Sequence, residues 1–484
     1  MIASTAKPFF TQALDALKGG DRRGAALLLE RELREGNTAA RNLTSVFQLA
    51  VNIGEIEIAI DALRRASVPN SIDSLLPYWS ALAMYGRSAE ALAQIERQSS
   101  AIRNHPSVLH FRGTMANYFG RLEEAKKMFR QALSVAPDAM QTWFALSMVK
   151  TFKLGDPDLA AMESLESRAV GGGFGQRASL CYGIGKAYED LGDVDRAFAF
   201  YSRGASLQRP QGGFDTLQFR RIADQIIREY TSENLAKLTP SGFQDQRSLF
   251  VTGLPRSGTT LVEQILRGHS AVGGGDEVNL FGPALIPVQG IGINQAFAYQ
   301  EGLNHSDPWG EIGRDYAHFI DMRFQSPGLV VDKSLGQALT IGLMLHSLPA
   351  SRIAWLRRSP DDVALSCFRT YFSMGISWSW SLADIADYMQ VEDQLFEHWC
   401  SVYPDRILVV PYEDLVRSPG DWAKTLQQHF GLDIEEGIEN QSKAGRPIAS
   451  ASVNQVREQI STSRIGRSAA FERHLKPFRD RYYG

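Results

Sequence analysis

Glycine recurs every 32 to 37 residues through the first half of the chain, and each of these glycines is followed five residues later by alanine. The pairs are Gly20 and Ala25, Gly54 and Ala59, Gly86 and Ala91, Gly120 and Ala125, Gly155 and Ala160, and Gly192 and Ala197. Glycine allows the turn between two helices, and alanine allows the second helix to pack closely on the first. The first half is therefore predicted to be a stack of helical hairpins.

One copy of the repeat carries the residues typical of a tetratricopeptide repeat: Leu109, Gly113, Gly120, Ala125, Phe129, Ala132 and Pro137. The first half therefore resembles a tetratricopeptide solenoid. Residues 214–238 are amphipathic and are predicted to form its capping helix. The segment Thr239-Pro240-Ser241-Gly242 then interrupts the helical pattern. A helical-repeat domain is predicted over residues 1–240 and a second domain over residues 241–484.

The second domain alternates short apolar segments with helical stretches. Strands are predicted near residues 248–253, 328–332, 352–357 and 406–411. This alternation is typical of parallel strands joined by crossover helices. The predicted fold is an all-α solenoid followed by an α/β domain with a central parallel sheet.

The first predicted strand leads into a glycine loop and the start of a helix. Gly253 and Gly258 have the spacing of a phosphate-binding P-loop, but Thr259 stands where nucleotide hydrolases have lysine. The N–H groups of such a loop still bind an anion, and Arg256 supplies a positive charge from within it. The candidate ligands of an anionic cofactor in this loop are Arg256, Ser257, Gly258, Thr259 and Thr260.

The strand near residues 352–357 is followed by a second candidate anion site. It ends in paired arginines, and Ser366 lies eight residues after Arg358. A guanidinium group suits a terminal phosphate because it donates two parallel hydrogen bonds. A cation beside a helix N-terminus is unfavourable in itself, which favours a binding role for Arg358.

The loop at residues 255–260 and the spacing of Arg358 and Ser366 resemble those of sulfotransferases that use 3′-phosphoadenosine 5′-phosphosulfate (PAPS). The resemblance is to the tyrosylprotein sulfotransferases and to bacterial relatives with tetratricopeptide repeats, and it covers roughly residues 245 to 480. It implies a P-loop-like fold, PAPS as sulfuryl donor without a metal, and a hydroxyl acceptor, above all protein or peptide tyrosine. The solenoid is expected to hold the acceptor chain or a partner.

The same resemblance implies catalytic roles for Arg256, Glu277 and Lys333. Glu277 follows the run Gly273-Gly274-Gly275-Asp276, which is predicted to be a turn. It also follows Arg256 by 21 residues, as the catalytic glutamate does in the tyrosylprotein branch, and is the expected base. The adjacent Asp276 and partial burial are expected to strengthen its hold on a proton. Lys333 is expected to stabilise the bridging oxygen of the donor, although the proline that usually follows in the family is missing here. His269 remains a rival base, because the small-molecule branch uses histidine.

Near the C-terminus, Ser452 and Arg467 have the 15-residue spacing with which members of the family close a loop over the cofactor. Arg464 is a second cation in this segment. Ser468 stands where the family usually has an aromatic residue, so the packing of the adenosine is expected to differ.

Composition limits the other ligands, the cysteine chemistry and the cellular location that are predicted for the chain. The net charge of −3 argues against general nucleic-acid binding. Cys181, Cys367 and Cys400 are odd in number and far apart, so neither a disulfide framework nor a metal site is predicted. The N-terminal residues lack an apolar signal core and no apolar run is long enough to span a bilayer. A cytoplasmic location without membrane association is therefore predicted.

Two other classes of function remain open. A P-loop kinase or nucleotide hydrolase fits the shape of the loop but not Thr259. A non-enzymatic adaptor with a degenerate transferase domain fits the solenoid, because helical repeats commonly bind proteins. The joint presence of the candidate catalytic and phosphate-binding residues counts against a degenerate site. The sequence leaves the acceptor undetermined between protein tyrosine, carbohydrate, lipid and small phenol, and it does not give the oligomeric state.

Overall fold

The computed structural model describes residues 8–36, 40–168, 173–209, 213–244, 247–302, 306–372, 376–440 and 460–484. Helices fill the described part of the chain before the first strand: α1 (Phe9–Lys18), α2 (Arg22–Glu35), α3 (Ala40–Asn52), α4 (Ile56–Ala66), α5 (Ile72–Met84), α6 (Ser88–Glu96), α7 (Ser100–Arg103), α8 (Pro106–Tyr118), α9 (Leu122–Val135), α10 (Met140–Met148), α11 (Pro157–Arg168), α12 (Phe174–Asp190), α13 (Val194–Gln208), α14 (Thr216–Glu229) and α15 (Ser232–Leu235).

The repeat glycines occupy the turns between paired helices, as predicted. All six have φ between +76° and +84°, in the left-handed region that favours glycine. The alanines at positions 25, 59, 91, 125 and 197 are fully buried in the helix that follows each turn. The prediction is wrong for Ala160, which is exposed, because α11 instead buries Leu159 and Met162.

The remaining described residues form the α/β domain, whose elements alternate along the chain. They are β1 (Ser248–Gly253), α16 (Thr259–Gly268), β2 (Val272–Asp276), α17 (Phe281–Ala284), α18 (Ile293–Gly302), α19 (Pro308–Arg323), β3 (Leu329–Asp332), α20 (Ile341–Ser347), β4 (Ile353–Arg357), α21 (Pro360–Phe368), α22 (Leu382–Val402), β5 (Ile407–Pro411), α23 (Tyr412–Arg417), α24 (Pro419–Phe430) and α25 (Lys476–Tyr482).

In the described residues, five parallel strands form one sheet in the order β2-β3-β1-β4-β5. Phe250 of β1 is paired with Ile353 of β4 on one side and with Asp332 of β3 on the other. The predicted fold class, an all-α repeat region and an α/β domain with a parallel sheet, is confirmed.

Strand β2 corrects one element of the sequence interpretation. The run Gly273-Gly274-Gly275-Asp276 is not a turn, because it hydrogen-bonds in parallel to β3. A Cβ atom at Gly273 would lie 2.4 Å from the carbonyl oxygen of Pro327, and one at Gly274 would lie 2.9 Å from the ring of Phe324. Glycine is needed here for close packing, not for a change of chain direction.

Helix α14 packs against the α/β domain. Its residues Ala223 and Ile226, followed by Tyr230, belong to the same buried cluster as Trp355 of β4 and Trp399 of α22. The Tyr230 hydroxyl also donates to the carbonyl oxygen of Ile291, at 2.6 Å. The amphipathic face predicted to cap the solenoid therefore covers the second domain, and the division at residue 240 remains a prediction.

The repeats contact the α/β domain at both ends. At the first hairpins, the buried Arg22 guanidinium lies 3.0 Å from the carboxylate of Asp315 in α19. At the far end, the Tyr182 hydroxyl of α12 donates to the carbonyl oxygen of Phe368 in α21, at 3.1 Å. The repeats thus span the α/β domain and are held on both sides. No helix of the described ranges is long and apolar enough to cross a membrane.

Replacing Gly54 with alanine is expected to destabilise the protein more than the same change at Gly192. Both positions have positive φ, which costs an alanine about 1–2 kcal/mol. A Cβ at Gly54 would also lie 2.8 Å from the Phe319 ring of α19, whereas one at Gly192 meets no described atom within 4 Å. That clash is expected to lower the free energy of unfolding by a further amount of about 1–3 kcal/mol. Urea unfolding of both variants measures the difference, and equal losses would contradict the contact between Gly54 and Phe319.

Candidate active site

The candidate residues converge because each follows a strand. The glycine loop follows β1, Glu277 follows β2, Lys333 follows β3 and Arg358 follows β4. Since the strands are parallel, their carboxyl ends lie at one edge of the sheet, where open α/β sheets bind ligands. Strand β1 lies between β3 and β4, so Lys333 flanks the loop on one side and Arg358 on the other.

The glycine loop is held in a conformation that brings its backbone close to its neighbours. Arg256 has φ of +70° and Gly258 has φ of +110°. A Cβ at Gly258 would lie 2.5 Å from the ring of Tyr412, which follows β5. Ser257 closes the loop internally, because its hydroxyl donates to the Leu254 carbonyl oxygen at 2.7 Å. The predicted contact of Ser257 with a cofactor stays a prediction.

Guanidinium groups cluster beside this loop. Arg256 Nε donates to the Ser366 hydroxyl at 3.0 Å, and Arg358 Nη1 donates to the Arg256 carbonyl oxygen at 3.2 Å. Burial, together with the charges of Arg369, Arg358 and Arg464, lowers the pKa of Arg256 to about 10. An anion bound here would relieve this repulsion, so the cluster fits a phosphate or sulfate group.

Arg358 sits at the centre of the cluster. Its guanidinium lies 4.4 Å from the Tyr412 ring centroid and ion-pairs with Asp362 at 3.3 Å. Its Nε atom is buried and has no hydrogen-bond partner in the described structure. An unpaired buried donor is costly, and a bound phosphate oxygen would satisfy it.

The C-terminal segment also contacts Arg358 and its partner Asp362. The carbonyl oxygen of Arg464 accepts from Arg358 Nη2 at 2.6 Å, and Asp362 accepts from the backbone N–H groups of Gly466 and Ser468. The charge of Arg464 acts on Arg256, whereas Arg467 is exposed on the same segment. Ser452 lies outside the described residues, so its predicted role and that of Arg467 remain predictions.

Lys333 and Glu277 meet on the other side of the loop. Lys333 is only 1% exposed, and its Nζ lies 3.5 Å from Glu277 Oε2 and 3.5 Å from Thr260 Oγ1. The side chain of Glu277 is 36% exposed, so it reaches both the buried lysine and solvent. The adjacent Asp276 is ion-paired with Arg323. The sequence argument did not foresee this partner of Asp276.

The sequence analysis missed a second carboxylate at this point, Glu263 of α16. It is buried, lies 3.7 Å from Lys333 Nζ and accepts from Arg267 at 3.2 Å. Burial raises its pKa, and the charges of Lys333 and Arg267 oppose that effect. The available signal was a glutamate and an arginine four residues apart on a helix that also carries the apolar residues Leu261, Val262, Ile265 and Leu266.

His269 is far from this group. It follows α16 at the opposite edge of the sheet from the glycine loop. Its Nδ1 accepts from the Ala271 N–H at 3.1 Å, and its Nε2 lies 2.9 Å from the Asp433 carbonyl oxygen. Both ring nitrogens of His269 contact backbone atoms. Glu277 is therefore the stronger candidate base.

Residues 248–436 match the model of the sulfotransferase family. The chain contains a sulfotransferase domain. Residues 106–139 and 178–210 match the model of the tetratricopeptide repeat. The repeats therefore precede this domain, as the sequence predicted.

An uncharacterized protein of Aquifex aeolicus is 26% identical over 404 residues, which are 81% of this chain and 52% of that protein. Human tetratricopeptide repeat protein 7A is 35% identical over 91 residues, 19% of this chain and 9% of that protein. The chain thus spans about half the length of the Aquifex relative and much less of the human one.

Solved structures of sulfotransferase domains show similarity at low identity. The domain from the Synechococcus PCC 7002 olefin synthase is 19% identical, with a TM-score of 0.35, and covers 48% of this chain and 91% of that domain. The domain from the curacin biosynthetic pathway is 18% identical, with a TM-score of 0.31, and covers 45% of this chain and 88% of that domain.

The segment after β3 lacks the proline of the family motif, and Ser334 forms two hydrogen bonds there. The Ser334 hydroxyl donates to the carboxylate of Asp332 and accepts from the Asn279 N–H at 2.8 Å. Burial raises the pKa of Asp332 to about 6. These bonds connect the end of β3 to the segment that carries Glu277. In the described ranges, no cluster of histidine, cysteine or carboxylate side chains is arranged to hold a metal.

Proposed function

We propose that this chain transfers a sulfuryl group from PAPS to a hydroxyl acceptor. The observation that carries the proposal is the arrangement around the glycine loop. A guanidinium cluster lies on one side of it, and the paired Lys333 and Glu277 lie on the other. The first group suits the phosphates of a nucleotide, and the second suits proton removal beside a stabilising cation.

The described residues fit PAPS in two places. Arg256 and the N–H groups at the start of α16 would bind the 5′ group, next to Thr259 and Thr260. Arg358 and Ser366 would bind the 3′-phosphate, and the unpaired Nε of Arg358 is available for one of its oxygens. When bound, PAPS supplies the sulfuryl group together with a good leaving group. A sulfuryl group carries less charge than a phosphoryl group, so its transfer does not require a metal.

In the proposed reaction, the Glu277 carboxylate accepts the proton of the acceptor hydroxyl. A bond forms between the acceptor oxygen and sulfur, and the bond from sulfur to the bridging phosphate oxygen breaks. Lys333 and Arg256 stabilise the charge that develops on the bridging and sulfuryl oxygens. The acceptor proposed from the family resemblance is protein or peptide tyrosine, held in part by the repeats.

Calorimetric binding of adenosine 3′,5′-bisphosphate, compared with ATP, tests this function. Arg358→Ala is expected to weaken bisphosphate binding roughly 10- to 100-fold, because charge-assisted hydrogen bonds are lost. The matched control is Arg357→Ala, since the neighbouring Arg357 pairs with Asp393 at 2.6 Å and packs on Phe396. No binding by the native chain, or equal losses in both variants, would overturn the cofactor assignment. Binding and hydrolysis of ATP alone would favour the nucleotide-hydrolase alternative.

A further inference from the structure

Glu277 opens into a cleft of about 440 Å³ whose opposite wall is formed by the repeats. Helix α5 contributes Met84 to this wall, and helix α8 contributes Phe111, Met115 and Tyr118. The volume lies within the range of roughly 300–1,000 Å³ that is usual for small-molecule sites. The wall is rich in thioether and aromatic groups, which pack well against an aromatic ring.

One largely covered arginine, Arg323, fixes the repeat wall relative to the base. Arg323 ion-pairs with Asp276, the residue before Glu277. A Cβ at Gly86, in the turn that follows α5, would lie 2.1 Å from Arg323 Nη1. The same arginine therefore contacts both the repeat turn and the end of β2. The charge of Asp276 also reaches Tyr118, whose pKa is raised mainly by burial.

The charges of the cleft select against an anionic acceptor. In the described lining, the charged side chains are the carboxylates of Asp276 and Glu277. Their cationic partners, Arg323 and Lys333, lie outside the described lining of the cleft and are already engaged in these ion pairs. An acidic group on the acceptor would therefore meet like charge without a compensating cation, an arrangement that is strongly unfavourable.

We propose that α5 and α8 form the acceptor-binding wall of the sulfotransferase domain. We propose further that the acceptor is a phenol whose neighbouring groups are neutral or cationic. The phenol is either a tyrosine side chain or a small free phenol. This inference rests on the proposed function. The preference for neutral or cationic neighbouring groups follows from the charge of the described cleft.

Steady-state sulfuryl transfer by the full chain tests the charge preference. The free phenols are tyramine, N-acetyltyrosinamide and 4-hydroxyphenylpropionate, which are cationic, neutral and anionic. Peptides with tyrosine flanked by lysine, glycine or aspartate form the second arm and distinguish the two sources of the phenol. In each arm, kcat/KM is expected to fall at least roughly tenfold for the anionic member. A preference for the anionic member, or transfer to sugars but to no phenol, would overturn the inference.

Substitutions at the wall of the cleft test whether the acceptor binds there. Thr114 lines the cleft from α8, is exposed, and its hydroxyl donates to the His110 carbonyl oxygen. Thr114→Trp is expected to raise the KM of N-acetyltyrosinamide roughly tenfold by filling the cleft. The matched control is Ser206→Trp, because exposed Ser206 makes the same kind of bond to Ser202 in α13 and does not line the cleft. Equal KM values in the two variants would contradict the assignment.

A substitution that adds a positive charge to the cleft tests the acceptor preference separately from the proposed sulfuryl transfer. Met84→Lys is expected to raise kcat/KM for 4-hydroxyphenylpropionate, whereas Leu27→Lys, an exposed position on α2, leaves it unchanged. Bisphosphate binding is measured in the same samples and is expected to stay native. Failure of the native chain to bind bisphosphate refutes the proposed function and the acceptor inference together. Native binding and transfer without a response to Met84→Lys refutes the inference alone.

Discussion

Glu277→Gln is expected to lower kcat by about 10²- to 10⁴-fold while leaving the binding of adenosine 3′,5′-bisphosphate unchanged. Glutamine has nearly the same shape and can keep an oxygen close to Lys333 Nζ, which lies 3.5 Å from Glu277 Oε2. It cannot accept the proton of the acceptor hydroxyl. Single-turnover transfer with preloaded PAPS measures the chemical step apart from binding.

His269→Gln is the control for this prediction, because histidine is the other base that the sequence offered. Its ring nitrogens contact the backbone at Ala271 and Asp433, so its loss is expected to change stability and to leave kcat nearly native. Loss of turnover in His269→Gln with bisphosphate binding intact, together with normal turnover in Glu277→Gln, would reverse the assignment of the base.

The convergence of the site could be predicted from the sequence because it depends on local order along the chain. Each candidate follows an apolar segment, and parallel strands bring their carboxyl ends to one edge. Strand β2 escaped prediction because the triplet that begins at Gly273 has no strand propensity of its own. Its hydrogen bonds are supplied by β3, more than 50 residues away in the sequence. Tertiary pairing overrides local propensity there.

Glu263 and the cleft wall show a different limit of sequence reasoning. A glutamate on a helix is usually solvated, and only the packing of α16 against the sheet makes Glu263 a buried partner of Lys333. The approach of α8 to Glu277 likewise depends on how the repeats dock. Residues such as Phe111 look like ordinary core positions of a repeat, and no spacing in the sequence relates them to Glu277.

The docking of the repeats also bears on the adaptor alternative. Helical-repeat stacks commonly present a concave face to other proteins. Here the turns at Gly54 and Gly86 pack on Phe319 and Arg323 of α19. The part of the repeat surface at the cleft therefore faces the sulfotransferase domain of the same chain. This favours a role for these helices in shaping the site over a role as a free docking platform.

Lys333→Met is the second substitution with a large expected effect. It removes a buried ammonium group while keeping a side chain of similar length, and we expect kcat to fall by about 10²- to 10³-fold. The loss of a partner beside buried Glu263 is also expected to lower the free energy of unfolding by about 3–5 kcal/mol at neutral pH. Burial already raises the pKa of Glu263 in the folded protein, and the loss of the lysine charge raises it further.

The sign of the pH dependence distinguishes this effect from a simple packing defect. A carboxyl group whose folded pKa is raised binds its proton more tightly in the folded state, so its contribution to stability is lost as the pH rises through that pKa. The stability deficit of Lys333→Met is therefore expected to be larger in neutral than in mildly acidic buffer, as measured by urea unfolding. Combining Glu263→Gln with Lys333→Met is expected to remove the pH-dependent part of the stability deficit, whereas the loss of kcat is expected to remain. A deficit that does not vary with pH would mean that Lys333 does not compensate the charge of Glu263. Native turnover in Lys333→Met would remove the lysine from the proposed chemistry.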